Sequence, residues 1–316
     1  MHSSSVICNK FSVGIIGCGW LGRALAIQLQ QQCIDVFATR SNALNVQTLQ
    51  LSGIDSQVLS LPAEQLILNQ HPVFTQNCIV IAITPQFRRG KVDYAEKIQQ
   101  LVSAAQQSKH VKKVILVSTT SAYNGLFGEV DETNELNESA DNVGLIKQAE
   151  QSILGLNQQS KLNSNDYSHV SPSPNSPKLA CVLRLSGLVG PDRHPGNFLK
   201  HGRMFSSPEA SVNLIHQDDA VGLILALLKN NTFSGIVNGV SQTKATKAQY
   251  YSAAAKALNL PEPRFNHENI FDASSSNSNS NSDLKSSKRV SGKKARTSLN
   301  YPFVHDDLLS WLDYIA

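Results

Sequence analysis

The sequence predicts an α/β fold, a doubly wound parallel sheet followed by a smaller C-terminal α/β lobe. Two observations carry this prediction. Short, continuous apolar runs alternate with helical stretches over the first half of the chain, and such runs are typical of strands buried on both faces of a parallel sheet. A glycine-rich turn also joins the first strand to the first helix, as the first βα unit of a doubly wound sheet requires.

The predicted elements follow one another in βαβ order. The strand runs are 13–16, 34–38, 79–83, 114–117 and 179–185, and the clearest helical stretches are 21–31 and 93–108. Two polar segments rich in Ser and Asn, 157–178 and 273–282, interrupt the pattern, and we interpret them as surface insertions. Apolar side chains near the C-terminus predict a final amphipathic helix, namely Leu308, Leu309, Trp311 and Leu312.

The composition favours a cytoplasmic protein with a small-molecule ligand. The 316 residues carry a net charge of +4 and five cysteines, none in a CxxC pair, which is typical of reduced thiols. No apolar run has the length of a signal peptide or a membrane span. Basic residues are scattered without interleaved aromatics, so neither nucleic acid nor membrane is an expected partner. The sequence leaves the oligomeric state open.

The glycine-rich turn is a dinucleotide fingerprint. Gly17, Gly19 and Gly22 form a GxGxxG pattern that directly follows the first strand and opens the first helix, which is the context in which this pattern binds dinucleotides. The glycines allow the tight turn, the approach of the pyrophosphate and the packing of helix on strand. The N–H groups that open the helix, from Trp20 and Leu21, face the phosphates. The sequence therefore predicts a Rossmann-type domain for a nicotinamide dinucleotide, with a turn that binds no ligand as the alternative.

The end of the second strand favours NADP over NAD. An NAD site usually has Asp or Glu there to bind the ribose 2′-hydroxyl. Thr39, Arg40 and Ser41 stand in that place, and no acidic residue occurs between Val36 and Ile54. An arginine beside two hydroxyls suits a 2′-phosphate by charge and by forked hydrogen bonds. We expect NADP, with NAD as the second choice, and a solvated arginine is the alternative interpretation.

Several downstream motifs resemble those of the extended short-chain dehydrogenase/reductases, the NAD-dependent epimerase/dehydratase family. The similar segments are VILVSTTSAY at 114–123, RLSGLVGP at 184–191, VNLIHQDDA at 212–220 and IVN at 236–238. GxGWLG and GPxRHPG are similar to the motifs of a small bacterial subgroup of atypical members. The resemblance implies a Rossmann domain over 11–185 and a substrate-binding lobe over 186–316, with 212–240 returning to the Rossmann domain.

The family's active-site Tyr-x-x-x-Lys motif is incomplete in this chain. It falls on residues 143–147, where Lys147 is kept but Val143 replaces the tyrosine, and valine has no group that transfers a proton. By resemblance, Thr119 is the hydroxyl that polarises the substrate, and Lys147 contacts the nicotinamide ribose. Tyr123 is the nearest phenol in sequence, and it is our candidate acid/base, with a packing role as the alternative.

Fingerprint and resemblance together give one set of predicted site residues. The predicted catalytic residues are Thr119, Tyr123 and Lys147. The predicted cofactor contacts are Gly17, Gly19, Trp20, Leu21, Gly22, Thr39, Arg40, Ser41, Thr84 and Lys147. In the C-terminal lobe, Arg193 is a candidate for binding a phosphate or carboxylate, and Asn197 for orienting a polar group. An exposed Pro/Gly-rich loop without a ligand is an equal alternative there.

The aspartates and histidines of the C-terminal lobe have simpler interpretations. We interpret Asp218 and Asp219 as the N-cap and first-turn acid of a helix over 220–229. The histidines of this region lack helical metal-ligand spacing such as HExxH, so the sequence predicts no metal site. These histidines are His194, His201 and His216.

Two hypotheses about function follow. The first is an NADP-dependent oxidoreductase or epimerase acting on a small polar or sugar-like substrate, and it depends on the resemblance together with Thr119 and Lys147. The second is a non-catalytic NADP-binding sensor or regulatory protein, and it depends on Val143. An ordinary hydroxyacid dehydrogenase is disfavoured because the sequence offers no His/Asp/Arg set for that chemistry.

Overall fold

The computed structural model describes residues 11–158, 178–200, 204–266 and 287–314. Its strands are β1 (Ser12–Ile16), β2 (Asp35–Arg40), β3 (Asp55–Val58), β4 (Cys78–Ile81), β5 (Lys113–Thr119), β6 (Gly128–Val130), β7 (Leu179–Leu185), β8 (Gly187–Val189), β9 (Met204–Ser206), β10 (Leu214–His216), β11 (Gly235–Gly239), β12 (Arg264–Asn266) and β13 (Lys288–Val290). The predicted insertions fall outside the described residues, apart from 157, 158 and 178, and so does His201.

Helices alternate with the first strands, as predicted. The α-helices are α1 (Trp20–Gln31), α2 (Ala43–Leu51), α3 (Gln65–Gln70), α4 (Tyr94–Gln107), α5 (Val143–Gln158), α6 (Gln217–Lys229), α7 (Lys247–Ala257), α8 (Lys293–Ser298) and α9 (Leu308–Tyr314). Among the described helices, none combines the length and the apolar character needed to cross a membrane. The described cysteines, Cys18, Cys33, Cys78 and Cys181, are all free.

The chain folds into two compact units. The described part of unit 1 comprises 11–117, 148–158, 178–182 and 231–235. The described part of unit 2 comprises 118–147, 183–200, 204–230, 236–266 and 287–314. Several strands begin in unit 1 and end in unit 2, so neither unit is a continuous stretch of the sequence.

A seven-stranded sheet, in the order β11-β7-β5-β4-β1-β2-β3, confirms the predicted α/β fold. The pairs β1–β2, β1–β4, β2–β3 and β4–β5 are all parallel. The chain builds outward from β1 to β3 on one side and then returns to β4 on the other side of β1. In doubly wound sheets, ligands bind in the crevice at the carboxyl ends of the strands where the order reverses. Here that place is the end of β1 and β4.

Hydrogen-bonded pairing, and not apolar character alone, sets the strand ends. The second strand was predicted over 34–38, but β2 continues through Thr39 and Arg40, because these residues pair with Ile16 of β1 and Val58 of β3. The third predicted strand, 79–83, corresponds to β4, which ends at Ile81, and β3 was not predicted. The polar end of β2 is therefore held rigidly beside the glycine-rich turn.

Polar side chains join α5 to β7 in unit 1. The Asn157 amide donates to the Ala180 carbonyl at 2.9 Å and accepts from the Ala180 N–H at 2.8 Å. The buried Lys178 ammonium donates to the carbonyls of Ser108 and Val111, each at 2.8 Å. The side chains of Asn157 and Lys178 thus hold the end of α5 and the start of β7 in place.

The C-terminal helix completes an apolar core in unit 2, as predicted. Leu308 and Leu312 of α9 are fully buried, and Trp311 is nearly so. They pack with Tyr250 of α7 and Val189 of β8. A buried aromatic of this size contributes on the order of 2–3 kcal/mol through burial alone, so the end of the chain is an integral part of unit 2.

Helix α6 begins three residues earlier than predicted. Its N-cap is His216, whose Nδ1 accepts a hydrogen bond from the Asp218 N–H at 3.2 Å. The prediction that Asp218 is the N-cap was wrong, because the imidazole already fills that role and both aspartates lie inside the first turn. Asp219 is fully buried, and its carboxylate binds groups of the 301–305 segment.

Candidate functional site

A cavity of about 300 Å³ lies in unit 1, at the carboxyl ends of β1 to β4. Its position is the crevice in which doubly wound folds bind their ligands. The cavity is lined by Ile16, Gly17, Gly19, Thr39, Arg40, Ser41, Leu59, Leu61, Ala82, Ile83, Thr84, Gln86 and Lys97. Six of the predicted cofactor contacts are therefore brought together, from three separate segments of the chain.

The glycine turn has no side chains that would keep a ligand away from the backbone at the cavity floor. Gly17 has a φ of +87°, and a Cβ there would lie 2.9 Å from the Ile83 nitrogen, so only glycine fits. At Gly19 a Cβ would meet the Arg40 guanidinium at 3.1 Å and the Gly17 carbonyl at an ordinary 3.9 Å. Gly19 is the N-cap of α1, and it provides no side-chain cap for the first turn. An anion suits such a helix end because of its N–H groups and positive dipole.

The third glycine has the packing role that the fingerprint predicts. A Cβ at Gly22 would lie 3.2 Å from Ile15 Cγ2, so the helix can approach β1 closely only without a side chain there. Gly22 and Leu21 are buried, and Trp20 is half-buried. These three predicted contacts do not line the cavity.

Arg40 reaches across the glycine turn. Its Nη1 donates to the Cys18 carbonyl at 3.1 Å, while the buried Thr39 hydroxyl accepts from the Gly17 N–H at 3.4 Å. Burial raises the pKa of the Cys18 thiol to about 11, against the opposing effect of Arg40 and Arg23, so this thiol is neutral at pH 7. The turn is therefore tied to the end of β2, with a guanidinium at the cavity rim.

The residues that line the cavity include two cations and no carboxylate. The second cation is Lys97 of α4, whose ammonium pairs with Asp93 at 2.9 Å, and both side chains are partly exposed. Two unlike charges at a partly exposed pair interact weakly. The lining therefore favours a ligand that carries negative charge near Arg40.

In unit 2, Thr119 and Lys147 each already have a polar partner. The Thr119 hydroxyl accepts from the Ser121 N–H at 3.1 Å and donates to the Ser121 hydroxyl, also at 3.1 Å. The Lys147 ammonium forms an ion pair with Glu138, and the lysine side chain is about one third exposed. The Thr119 and Lys147 side chains are thus both partly exposed, and each is hydrogen-bonded or ion-paired to a neighbour within unit 2.

Tyr123 lies in the core of unit 2. It is fully buried, its hydroxyl donates to the Asn238 side chain at 2.9 Å, and the Arg184 guanidinium lies over its ring at 4.8 Å. Burial raises the pKa of the phenol, and Arg184 opposes that shift. A phenol that has its own acceptor and no exposed surface suits the packing alternative better than proton transfer.

The remaining predicted residues fall in two environments. Val143, at the place of the missing tyrosine, is fully buried, so that position is a core position in this chain. Arg193 and Asn197 lie in the exposed loop that follows β8. The Arg193 N–H closes a turn onto the Gly190 carbonyl at 3.0 Å, and the Asn197 N–H donates to His194 at 3.0 Å.

A comparison with known proteins finds a relative of similar sequence. The chain is 30% identical to Protein YeeZ of Escherichia coli K12 over 256 residues, which cover 80% of this chain and 86% of that protein. The chain belongs to the YeeZ family. No family model matches it.

Solved structures extend the comparison for this YeeZ-family chain. The human epimerase family protein SDR39U1 with NADPH has a TM-score of 0.69 at 17% identity, over 97% of this chain and 99% of that one. The UDP-glucuronic acid 4-epimerase from Bacillus cereus in complex with NAD has a TM-score of 0.68 at 17% identity, over 96% and 98%. The fold of the chain is therefore similar to that of these two proteins, in agreement with the fold that the sequence motifs imply.

The sequence did not reveal part of the cavity wall of this YeeZ-family member. Leu59 and Leu61 follow β3, Gln86 follows β4, and Lys97 lies on α4. No motif marks these residues, since they reach the cavity only through the parallel order of the strands. The residues after β3 could not have been found, because β3 was not among the predicted strands. Those after β4 lie at the edge that the carboxyl ends of neighbouring parallel strands share.

Proposed function

We propose that this chain is an NADP-dependent oxidoreductase or epimerase of the extended short-chain dehydrogenase/reductase type, acting on a small polar or sugar-like substrate. The observation that carries the proposal is the unit 1 cavity, in which Gly17, Gly19, Thr39, Arg40 and Ser41 meet at the switch point of the sheet. A bound nicotinamide dinucleotide would supply hydride transfer. The residues of the chain would bind it, orient it and select its phosphate.

The charge of the cavity supports NADP over NAD. The described end of β2 offers the Arg40 guanidinium and the Ser41 hydroxyl, and the lining has no carboxylate to bind a ribose 2′-hydroxyl. A guanidinium binds phosphate through charge-assisted hydrogen bonds, which are stronger than neutral ones. The dinucleotides in the similar solved structures, NADPH in the human protein and NAD in the Bacillus epimerase, support a nicotinamide cofactor without deciding between the two.

Two polar groups of unit 2 support the catalytic part of the proposal. Thr119 would hold the substrate oxygen, and Lys147 would bind the cofactor ribose, as the resemblance implies. Tyr123 would have a structural role, since its hydroxyl is already bound to Asn238 in the core. A group other than a phenol would then transfer the proton. The Lys147 ammonium, which is the residue kept from the Tyr-x-x-x-Lys motif, is the candidate for this role.

The second candidate function is a non-catalytic NADP-binding protein. Two observations favour it specifically. Val143 is fully buried at the position of the usual tyrosine, and the nearest phenol, Tyr123, is also fully buried. A protein of this kind would keep the cofactor cavity and lose the proton-transfer group.

Cofactor titrations test the first part of the proposal. We expect NADPH to bind at least about tenfold more tightly than NADH, because hydrogen bonds to a charged group contribute about 1.5–3 kcal/mol. Arg40→Ala should remove this preference while leaving NADH affinity nearly unchanged. Arg23→Ala is the matched control, because Arg23 is exposed and bonds to Ser52. Equal affinities of the wild-type chain for the two cofactors would contradict the assignment of Arg40.

Turnover measurements separate the enzyme from the sensor. NADPH oxidation and NADP reduction are followed with a panel of nucleotide sugars and small carbonyl compounds. The enzyme hypothesis predicts turnover that falls by about 10²–10⁴-fold in Thr119→Val and Lys147→Met while cofactor affinity changes little for Thr119→Val. Tight NADPH binding without turnover on any member of the panel would favour the non-catalytic protein.

A further inference from the structure

The geometry points to a divalent transition-metal site, of the kind that zinc occupies, formed in unit 2 by His216, Asp218 and His305. Each residue offers one ligand atom, and the three atoms lie within 4.8 Å of one another. None of the three residues lines the dinucleotide cavity, so this site is independent of the proposed function. Spacing along the sequence could not show it, because His305 is 87 residues from Asp218.

Two of the three distances are close to those between neighbouring ligands of one ion. Asp218 Oδ2 lies 3.0 Å from His305 Nε2 and 3.3 Å from His216 Nδ1. Ligand bonds of about 2.0–2.1 Å at tetrahedral angles separate neighbouring ligand atoms by about 3.3 Å. Two imidazoles and one carboxylate form a common ligand set for zinc, and they leave a coordination position open for water or substrate.

The Nδ1 atom of His216 has an unprotonated lone pair close to the Asp218 carboxylate. His216 Nδ1 accepts a hydrogen bond from the Asp218 N–H at 3.2 Å, so this nitrogen carries no proton to donate to Asp218 Oδ2. A ring nitrogen that accepts from an N–H group carries no proton itself, as a metal ligand requires. A cation between the nitrogen and the carboxylate would relieve their repulsion, at the cost of the long capping bond.

The third ligand is positioned without the metal. The carboxylate of Asp219 accepts from the Tyr301 hydroxyl at 3.1 Å, from the Val304 N–H at 2.7 Å and from the His305 N–H at 2.9 Å. Asp219 is fully buried, so these three bonds hold the 301–305 segment on the first turn of α6. Groups that orient a ligand in this way raise metal affinity because little order remains to be imposed on binding.

The cluster is open on one side. The side chains of His216, His305 and Asp218 are 3%, 23% and 58% exposed, so the carboxylate faces solvent and the imidazoles form the inner wall. An ion can therefore enter from the Asp218 side. The Trp311 ring packs at the inner wall, with its centroid 4.8 Å from that of His216, and it provides a fluorescent reporter for the site.

Metal titration of the full chain, without an affinity tag and after removal of metal by a chelator, tests the site. At about pH 7.5 we expect one equivalent of Zn²⁺ to bind with a Kd of about 10 μM or lower, measured by calorimetry. In a Trp20→Phe background, one equivalent of Co²⁺ should quench the emission of Trp311. Binding no tighter than about 100 μM, or Co²⁺ binding without quenching, would overturn the proposal.

Matched variants locate the binding. Asp218→Asn and His305→Gln should each weaken the Zn²⁺ affinity at least about tenfold. His305→Gln keeps the backbone bond to Asp219, and circular dichroism checks that both variants remain folded. The controls Asp141→Asn and His110→Gln change exposed residues of the same types elsewhere, and they should leave the affinity unchanged. Equal affinity in all four variants would overturn the assignment and leave these side chains as a hydrogen-bonded cluster only.

Discussion

In the glycine turn, Gly17 should matter mainly for stability and Gly19 mainly for cofactor binding. Alanine substitutions at these two positions, with Gly53→Ala as a control, can measure the two effects. Gly17 has a φ of +87°, and an added Cβ would lie 2.8 Å from the Ile83 side chain and 2.9 Å from its nitrogen. Gly53 has a similar φ of +75° but no atom within 4 Å of an added Cβ. At Gly19 the φ is −85°, and the one tight contact of an added Cβ would be with the tip of Arg40, at 3.1 Å.

The expected magnitudes follow from these geometries. A left-handed conformation costs an alanine about 1–2 kcal/mol, and forcing a methyl group into a packed site costs about 1–3 kcal/mol more. We therefore expect Gly17→Ala to lower the free energy of unfolding by about 2–5 kcal/mol and Gly53→Ala by about 1–2 kcal/mol. Gly19→Ala should cost less than about 1 kcal/mol, because a flexible guanidinium can move aside.

The loss of NADPH affinity should follow the opposite order to the loss of stability, with Gly19→Ala affected more than Gly53→Ala. Gly19→Ala places a methyl group where the pyrophosphate approaches the backbone, so its NADPH affinity should fall at least about tenfold, whereas Gly53→Ala should bind like the wild type. Urea denaturation gives the stabilities, and fluorescence titration gives the affinities. The reasoning fails if Gly17→Ala is no more costly than Gly53→Ala, or if Gly19→Ala binds NADPH normally.

Three further predictions concern unit 2. Tyr123→Phe should cost about 1–3 kcal/mol of stability, because it leaves the buried Asn238 acceptor unpaired; unchanged stability with lost turnover would instead support an acid/base role. Burial, with Lys247, lowers the pKa of Lys288 from 10.5 to about 8. The unfolded chain then binds the extra proton between these values, so stability should rise with pH there by about 1–2 kcal/mol relative to Lys288→Met in urea titrations. Asn213→Ala removes bonds to the Lys288 carbonyl and the Val290 N–H, and it should lower the melting temperature by several degrees, about 2 kcal/mol in stability; an unchanged melting temperature would contradict that role.

Local patterns found the glycine turn and most strands of unit 1, but they missed β3. The GxGxxG turn and the apolar strand runs depend on backbone conformation and on burial, which neighbouring residues determine. These patterns correctly placed Gly17, Gly19 and Arg40 at one end of the sheet, where the structure has them lining the cavity. The boundaries shifted by one to three residues because pairing partners, which lie far away in sequence, decide where a ladder ends.

The roles of Asp219 and Tyr123 depended on contacts that no local pattern encodes. Asp219 has the position of an ordinary first-turn acid, but its partners are the 301–305 segment, more than eighty residues later. Tyr123 is a candidate acid/base by residue type and position, but it is buried against Arg184 and Asn238 in the core. Burial and long-range pairing are properties of the packed chain, so the same residue types allowed both interpretations until the packing was known.

The reciprocal amide bonds between Asn157 and Ala180, with the Lys178 anchor beside them, clamp the end of α5 to the start of β7. One asparagine side chain satisfies both backbone groups of Ala180, so the helix and the strand are fixed in register with each other. The two elements therefore act as one mechanical unit, and a change that displaces the end of α5 is passed directly to β7.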